Sequence, residues 1–196
     1  MKILEHDENI VAVIKDLGED SEHDLPELIK NELGGEVYCL HRLDKNVGGV
    51  ILFARNKKYA AIMSKAIQDN LFIKEYVTMV HGILDEKEGI LEDLLFKDSR
   101  KNKVFVVNRE RKGVKKAKLA YDVIREEENK SLVHVRLYTG RSHQIRVQFA
   151  HLKHPLIGDH KYGSRDEVKE PMLYSCKISF PYNKETKIVE NYPEWY

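Results

Sequence analysis

Short apolar stretches alternate with polar residues along most of the chain and predict more strands than helices. Strands are predicted at residues 9–15, 49–55, 75–80, 104–107, 118–125, 132–138 and 173–180. The pair at 118–125 and 132–138 is expected to be antiparallel and joined by a polar turn over residues 126–130. Because no regular alternation of strand and helix is present, the pattern favours an α+β fold with a mostly antiparallel sheet.

Helical spacing of apolar residues predicts three helices between these strands. The first begins at Asp24 with a capping box completed by Glu27, and its expected buried stripe is Leu25, Leu28, Ile29 and Leu33. The second covers residues 57–69 and is capped by Asn56, with an apolar stripe of Tyr59, Ile62, Met63, Ala66 and Ile67. A short third helix is expected to begin at Ser142 and to end before Pro155.

Length and composition are those of one soluble domain. The chain has 196 residues without a repeat or a flexible linker, so we expect a single continuous domain over residues 1–196. The longest apolar runs, 10–14 and 50–54, are far shorter than the roughly 20 residues of a membrane helix. An acidic start and two isolated cysteines predict a cytoplasmic protein without a secretory signal, a disulfide framework or a membrane anchor.

Charge is unevenly distributed despite a formal net charge of +1. Residues 1–36 hold three lysines and eleven acids, whereas residues 97–118 hold ten Lys or Arg against two acids, a net charge of +8. Such a basic segment, which includes Lys115 and Lys116, attracts a polyanion such as RNA. A solvated lysine-rich hairpin explains the segment equally well, and Phe105 and Tyr121 are too sparse in the sequence to form an aromatic stacking platform.

Two segments carry candidate chemistry, and the first is residues 40–45, LHRLDK. Asp44 lies between a loop and a strand, among the basic residues Arg42 and Lys45. A nearby cation keeps a partly buried carboxylate ionised, and an ionised carboxylate can act as a nucleophile or as a base. Ordinary turn chemistry is the alternative for this segment by itself.

The second segment is residues 138–146, YTGRSHQIR, where a glycine turn leads into the short third helix. A helix N-terminus favours anions, so Arg141 and Arg146 are unusual there unless they serve a function. The histidines at 143, 151 and 154 permit the hypothesis of a metal-dependent hydrolase, but they lack the spacing of an HExxH site.

Together and in this order, the segments resemble the RluA-type pseudouridine synthase family. The resemblance rests on HRLDKNVGGVILFARN (41–56), KEYVTMVHG (74–82), TGRSHQIRVQFAHLKHPLIGDHKYGS (139–164) and LYSCKISFPY (173–182). It implies a catalytic domain with a mostly antiparallel mixed sheet, flanking helices and a central cleft. It also implies an isomerase that converts uridine to pseudouridine in ribosomal or transfer RNA without a cofactor or metal.

The resemblance assigns roles to individual residues. Asp44 is the essential aspartate, Tyr76 stacks on the target base, and Arg146 pairs with the Asp44 carboxylate. Arg42 reaches into the RNA as the base flips out of the helix. The remaining expected RNA or substrate contacts are His41, Arg141, His143, Gln144 and Ile145, together with Lys115 and Lys116. For Tyr76 and Arg146, a core aromatic residue and a surface helix residue are the respective alternatives.

Three departures from the family pattern are visible. Lys15-Asp16-Leu17-Gly18 replaces Lys-Pro-x-Gly, and Val47-Gly48-Gly49 replaces Thr-Ser-Gly. Only 40 residues precede His41, so no S4-type RNA-binding domain is expected. A monomer without an obligate protein partner is the simplest expectation, and a catalytically silent RNA-binding relative of the same fold is the main alternative function.

Overall fold

The computed structural model describes residues 1–196 and contains three helices and eleven strands. The helices are α1 (Asp24–Leu33), α2 (Lys57–Gln68) and α3 (Gln144–His151). The strands are β1 (Lys2–His6), β2 (Ile10–Lys15), β3 (Tyr38–Cys39), β4 (Gly48–Ala54), β5 (Ile73–His81), β6 (Glu88–Asp98), β7 (Lys103–Val107), β8 (Val114–Glu127), β9 (Lys130–Leu137), β10 (Leu173–Tyr182) and β11 (Glu185–Glu190).

The chain divides into two compact units. The first unit comprises Met1–Glu75 and Tyr174–Tyr196, and the second comprises Tyr76–Leu173. Each unit contains a run of neighbouring strands and at least one helix. The expectation that residues 1–196 form one catalytic domain stays a prediction. No helix of the structure has the length and apolar character that crossing a membrane requires.

In the first unit the strands lie in the order β1-β2-β4-β10, with β3 beside β4 and β11 beside β10. The β4–β10 pair is parallel and the other described pairs are antiparallel. Every residue of β4 is buried, as expected for a central strand whose sequence is apolar on both faces. Met63 and Ala66 of α2 pack into the same core as Leu52 and Phe180.

In the second unit the strands lie in the order β5-β9-β8-β6-β7. The pairs β6–β7, β6–β8 and β8–β9 are antiparallel. One face of this sheet carries Leu95, Val104 and Ala117, which pack against Val147 of α3. Period-two alternation therefore assigns the intervening residues of these strands to the opposite face.

All predicted strands are present, but β1, β3, β6 and β11 were not predicted. The longest of them, β6, has the sequence EGILEDLLFKD, in which a glycine and four acids weaken the strand pattern. Pairing with both β7 and β8 overrides this weak local preference. The turn between β8 and β9 is also shorter than expected, because only Glu128 and Asn129 separate the two strands.

The helix predictions need three corrections. No capping box forms at α1, because its N-cap is His23 without a side-chain hydrogen bond, and the Asp24 carboxylate accepts from the Asp20 amide at 2.9 Å. Leu28 and Ile62 are 42% and 41% exposed, so both lie outside the buried stripes of their helices. The third helix begins at Gln144 instead of Ser142.

Gly49 offers a test of the parallel β4–β10 pairing. Its φ is +118°, and a Cβ there would lie 2.3 Å from the carbonyl oxygen of Ser175. We expect Gly49→Ala to lower the free energy of unfolding by about 3 kcal/mol, through backbone strain and steric overlap. Gly18 also has a positive φ but open space around its Cβ position, so Gly18→Ala should cost only about 1 kcal/mol.

Urea unfolding followed by circular dichroism measures both variants. Equal losses of unfolding free energy in the two variants would contradict the prediction. They would show that the close approach of Ser175 to Gly49 adds no cost beyond that of a positive φ.

Candidate active site

Asp44 lies in the loop between β3 and β4 in the first unit, and its side chain is half-buried. The Val47 amide donates to the Asp44 carbonyl at 2.9 Å and closes a tight turn. The preceding residue, Leu43, is buried, and both its amide and its carbonyl are hydrogen-bonded to the Ser21 hydroxyl. The backbone on both sides of the candidate catalytic carboxylate is therefore held in place.

Lys15 stabilises the same loop through hydrogen bonds, and the sequence had assigned it no role. Its ammonium group donates to the carbonyls of Asp16, Lys45 and Val47 at 3.0, 3.1 and 2.9 Å. The side chain is only 1% exposed at the end of β2. Burial lowers the pKa of Lys15, and the nearby carboxylates of Glu19 and Asp44 oppose this shift. A lysine closing an otherwise apolar strand is the sequence signal that could have revealed it.

The residues that follow Lys15 explain why one departure from the family pattern leaves the Asp44 loop in place. The Gly18 amide donates to the Lys45 carbonyl at 2.7 Å. Lys15 and Gly18 both match the family pattern, and both are hydrogen-bonded to the Asp44 loop. Leu17 is 55% exposed, and the exposed Asp16 carboxylate pairs with the N-terminal ammonium. Asp16, the residue that replaces the proline of the pattern, therefore has its carboxylate paired with the N-terminus and not with the Asp44 loop, while Leu17 occupies the variable position.

His41 and Arg42 have different surroundings, although both precede Asp44. The His41 Nε2 accepts from the Leu52 amide at 3.2 Å, and its ring lies 5.3 Å from that of Phe72. Burial, with a smaller contribution from Lys74, lowers the pKa of His41 to about 3. A neutral, internally bonded ring favours a structural role for His41 over the RNA contact expected from the sequence.

Arg42, by contrast, is exposed. Its guanidinium donates to the Glu22 carboxylate at 2.8 Å, and both side chains are about half exposed. An exposed ion pair of this kind is weak. The geometry therefore leaves Arg42 available for the predicted contact with RNA.

In the second unit, Tyr76 lies on β5 and Arg146 lies on α3. Tyr76 is 5% exposed and Arg146 is 3% exposed. The alternative of a surface helix residue is therefore wrong for Arg146, while burial of Tyr76 is compatible with either of its readings.

The guanidinium of Arg146 is held by an acid to which the sequence had assigned no role. Its Nε and Nη2 donate to the two carboxylate oxygens of Asp159 at 2.6 and 2.7 Å. Both side chains are almost fully buried, and the Tyr162 ring lies 5.2 Å from the guanidinium carbon. This two-pronged ion pair fixes the plane of the guanidinium. The GDHKYGS stretch, where a glycine turn presents an acid, is the signal that could have found Asp159.

The loop before α3 is held by Gln144, whose side chain is buried. Its Oε1 accepts from the Thr139 hydroxyl at 2.8 Å and from the Arg141 amide at 3.0 Å, and its Nε2 donates to the Lys118 carbonyl at 3.1 Å. These contacts assign Gln144 a structural role in the loop. The neighbouring Ile145 is buried, as expected for part of an apolar wall.

His143 is the N-cap of α3 in a left-handed conformation, with φ of 51° and no side-chain cap. Its Nδ1 lies 2.8 Å from the Tyr162 hydroxyl, which in turn accepts from the Val104 amide. The anion site expected at a helix beginning with Ser142 is therefore displaced, because the helix begins two residues later.

The predicted basic contacts are exposed on the same unit. The Arg141 Nε donates to the Lys116 carbonyl at 2.9 Å, and the Lys116 ammonium pairs with Glu110 at 3.1 Å. Lys115 is exposed on β8. All three are accessible to a polyanion.

Two of the three histidines of the metal hypothesis, His143 and His154, are engaged in other contacts. Besides the His143 contact with Tyr162, the His154 Nδ1 lies 2.8 Å from the His81 carbonyl. No group of three or more His, Cys, Asp or Glu side chains in the structure has an arrangement that could hold a metal ion.

The chain is similar to known proteins over most of its length. Residues 8–151 match the RNA pseudouridylate synthase family. A Helicobacter pylori (strain J99) protein named an uncharacterized RNA pseudouridine synthase is 35% identical over 182 residues, which cover 90% of this chain and 70% of that protein. A Mycoplasma pneumoniae protein named as a homolog of an uncharacterized RNA pseudouridine synthase is 31% identical over 147 residues. That alignment covers 74% of this chain and 48% of the relative, so the chain spans about half of its length.

The fold is found in solved structures as well. The structure described as human RNA pseudouridylate synthase domain containing 4 matches with a TM-score of 0.84 and 22% identity, over 99% of this chain and 89% of that one. This likeness confirms the predicted fold class. The enzyme class expected from the sequence, an isomerase acting on uridine in RNA, is that of the matched family. With residues 8–151 matched and a relative at 35% identity, the chain belongs to the RNA pseudouridylate synthase family.

Proposed function

We propose that this chain isomerises uridine to pseudouridine in ribosomal or transfer RNA, with Asp44 as the essential catalytic carboxylate. The observation that carries the proposal is the family match over residues 8–151, which includes Asp44, Tyr76 and Arg146. The reaction breaks the bond between C1′ and N1, turns the uracil and joins C5 to C1′. N1 gains a proton and C5 releases one, so the step balances without a cofactor.

Asp44 can act at the sugar, at the base or on a ribose proton, and each route requires an ionised carboxylate at a fixed position. The Lys15 ammonium supplies nearby positive charge and fixes the backbone of the Asp44 loop through Lys45 and Val47. The opposite charges of Lys15 and Asp44 attract each other. A catalytic aspartate requires a backbone and a charge environment held in this way, whereas an ordinary surface turn requires neither.

Tyr76 and Arg146 complete the proposed catalytic set. The pairing of Arg146 with Asp44, which the family resemblance implies, is part of the proposal. Asp159 supports it by fixing the guanidinium through Nε and Nη2. Base flipping brings the target uridine within reach of these groups, because C1′ and N1 are inaccessible in a stacked helix.

The surroundings of the enzyme follow from the same proposal. RNA is the proposed partner, and the monomeric state, the lack of an obligate protein partner and the cytoplasmic location stay predictions. Light scattering of the purified chain, with and without RNA, would measure whether it is a monomer and whether it binds RNA without a protein partner.

The proposal predicts that Asp44→Asn and Asp44→Ala lose at least about 10³-fold in turnover, because a catalytic carboxylate is removed. Tritium release from transcripts labelled at uridine C5 measures the reaction, with ribosomal and transfer RNA offered separately. Asp69→Asn, which changes an exposed aspartate of the same unit, is the matched control and should keep wild-type turnover.

Circular dichroism and RNA binding of the Asp44 variants should remain close to wild type. Substantial turnover by either variant would disprove the assignment of Asp44. Salt-sensitive RNA binding without tritium release by the wild-type chain on either RNA would instead favour a catalytically silent relative.

A second prediction concerns the basic segment. Lys115→Ala combined with Lys116→Ala should weaken RNA binding and reduce the slope of log affinity against log salt by about 1 to 2, since each lost phosphate contact releases one counterion fewer. The control is Lys57→Ala with Lys58→Ala, an exposed lysine pair on α2 that removes the same charge.

Fluorescence anisotropy over a salt series provides the measurement. An unchanged slope would show that Lys115 and Lys116 belong to a solvated face. Equal changes in both pairs would show that total charge, and not this segment, governs binding.

A further inference from the structure

The sheet of the second unit has one face that its helix does not cover. Leu95, Val104 and Ala117 point towards α3, so the alternate residues of β6, β7 and β8 point the other way. The antiparallel register places Phe96 opposite Phe105 on this outer face. We define the outer face by the apolar residues Ile90, Leu94, Phe96, Phe105, Val107 and Tyr138 and by the cations that surround them.

Large apolar side chains on this face are open to solvent. Ile90 is 59% exposed, Tyr138 is 41% exposed and Phe105 is 37% exposed. Isolated exposed apolar residues are normal, but several on one sheet face indicate an interaction surface. Phe105 looked too isolated in the sequence to stack bases, but the β6–β7 register places it directly opposite Phe96.

Each aromatic ring of the outer face has a cation beside it. The Arg111 guanidinium lies 4.7 Å from the centre of the Phe96 ring, and the Lys103 ammonium lies 5.8 Å from that of Phe105. The ring of Tyr138 has two such neighbours, Arg136 at 5.4 Å and Lys118 at 5.8 Å. Aromatic rings offer stacking surfaces to bases while adjacent cations hold phosphates, the combination that single-stranded nucleic acid requires.

A cavity of about 350 Å³ opens on the same face. It is lined by Leu94, Val114, Glu110, Arg111 and Lys116. Its volume is at the lower end for small-ligand sites, which suits one nucleotide better than a bulky peptide segment. Arg111 and Lys116 beside Leu94 and Val114 suit a nucleotide, whose base is planar and whose phosphate is anionic, and the remaining lining residue, Glu110, is paired with Lys116.

Two acids that lie among the aromatic residues of the outer face are each paired with a lysine. Glu92 pairs with Lys118 at 2.5 Å, and Glu110 pairs with Lys116 at 3.1 Å. Except for Lys118, which is 43% exposed, these side chains are more than half exposed, and exposed ion pairs are weak. A phosphate can therefore take the place of either carboxylate.

We propose that the outer face binds a single-stranded segment of the substrate RNA, with bases stacked on Phe96, Phe105 and Tyr138. Arg111, Arg136 and the lysines beside the rings hold the phosphates. The choice of RNA as the ligand rests on the proposed function. Single strands are the preferred form because bases within a duplex are already stacked and cannot pack on protein rings.

Leucine and aromatic substitutions separate stacking from general apolar contact. Phe105→Leu combined with Tyr138→Leu keeps apolar bulk but removes both rings, whereas Phe105→Tyr combined with Tyr138→Phe keeps both. We expect the leucine pair to weaken binding of single-stranded oligouridylate at least about tenfold, since stacking contributes strongly to each base contact. The aromatic pair should bind like wild type, and binding of the same strand paired with oligoadenylate should change little.

Photocrosslinking locates the contact directly. RNA carrying 4-thiouridine should crosslink to peptides that contain Phe105 or Tyr138. Wild-type affinity of the leucine pair, or crosslinks confined to other peptides, would overturn the proposal and leave the face to a protein partner. Because both side chains are substantially exposed, the variants should fold, which circular dichroism verifies.

Turnover distinguishes this inference from the proposed function. With tritium release as the readout, the leucine pair should raise KM and leave kcat at saturating RNA unchanged. If the wild-type chain shows no release but crosslinks at the outer face, the proposed function fails and the binding surface stands. If the wild-type chain turns over and the leucine pair keeps its affinity and KM, only the inference about the outer face fails.

Discussion

The buried ammonium group of Lys15 is the interaction on which the geometry around Asp44 depends. It donates to three backbone carbonyls, two of which belong to the loop that carries Asp44. An unpaired charge would be costly at 1% exposure, so the loop carbonyls must remain in place to satisfy it. The stability of the first unit and the position of the candidate catalytic carboxylate are therefore coupled through one side chain.

In the second unit a buried ion pair stabilises a charged side chain in a similar way. Arg146 and Asp159 are both almost fully buried, and the two-pronged contact pairs two of the five guanidinium N–H donors with both carboxylate oxygens. Breaking such a pair leaves an uncompensated charge, so the orientation of the guanidinium is strongly maintained. Tyr162 adds a ring beside the guanidinium and hydrogen bonds to both β7 and His143, which links α3 to the sheet.

Predictions from the sequence succeeded where local pattern and tertiary environment agree. Strand β4 was recognised because it is apolar throughout and buried throughout, and α2 was recognised because Asn56 caps it as expected, accepting from the Tyr59 amide. Strand β6 was missed because its acidic sequence has a weak strand preference and is stabilised by pairing with two neighbours. The capping box at α1 failed because Asp24 bonds to the Asp20 amide instead.

The sequence by itself determined the family, the fold class and the identity of Asp44, Tyr76 and Arg146 as candidates, because their motifs are contiguous and ordered along the chain. Only the tertiary structure decided which groups hold the Asp44 loop and the Arg146 guanidinium in place. Lys15 lies 29 positions before Asp44, and the pairing of Arg146 with Asp159 spans 13 positions. Local patterns can single out Lys15 and Asp159 as unusual residues but do not identify their partners, since chain folding brings the partners together and burial then makes the charge pairing obligatory.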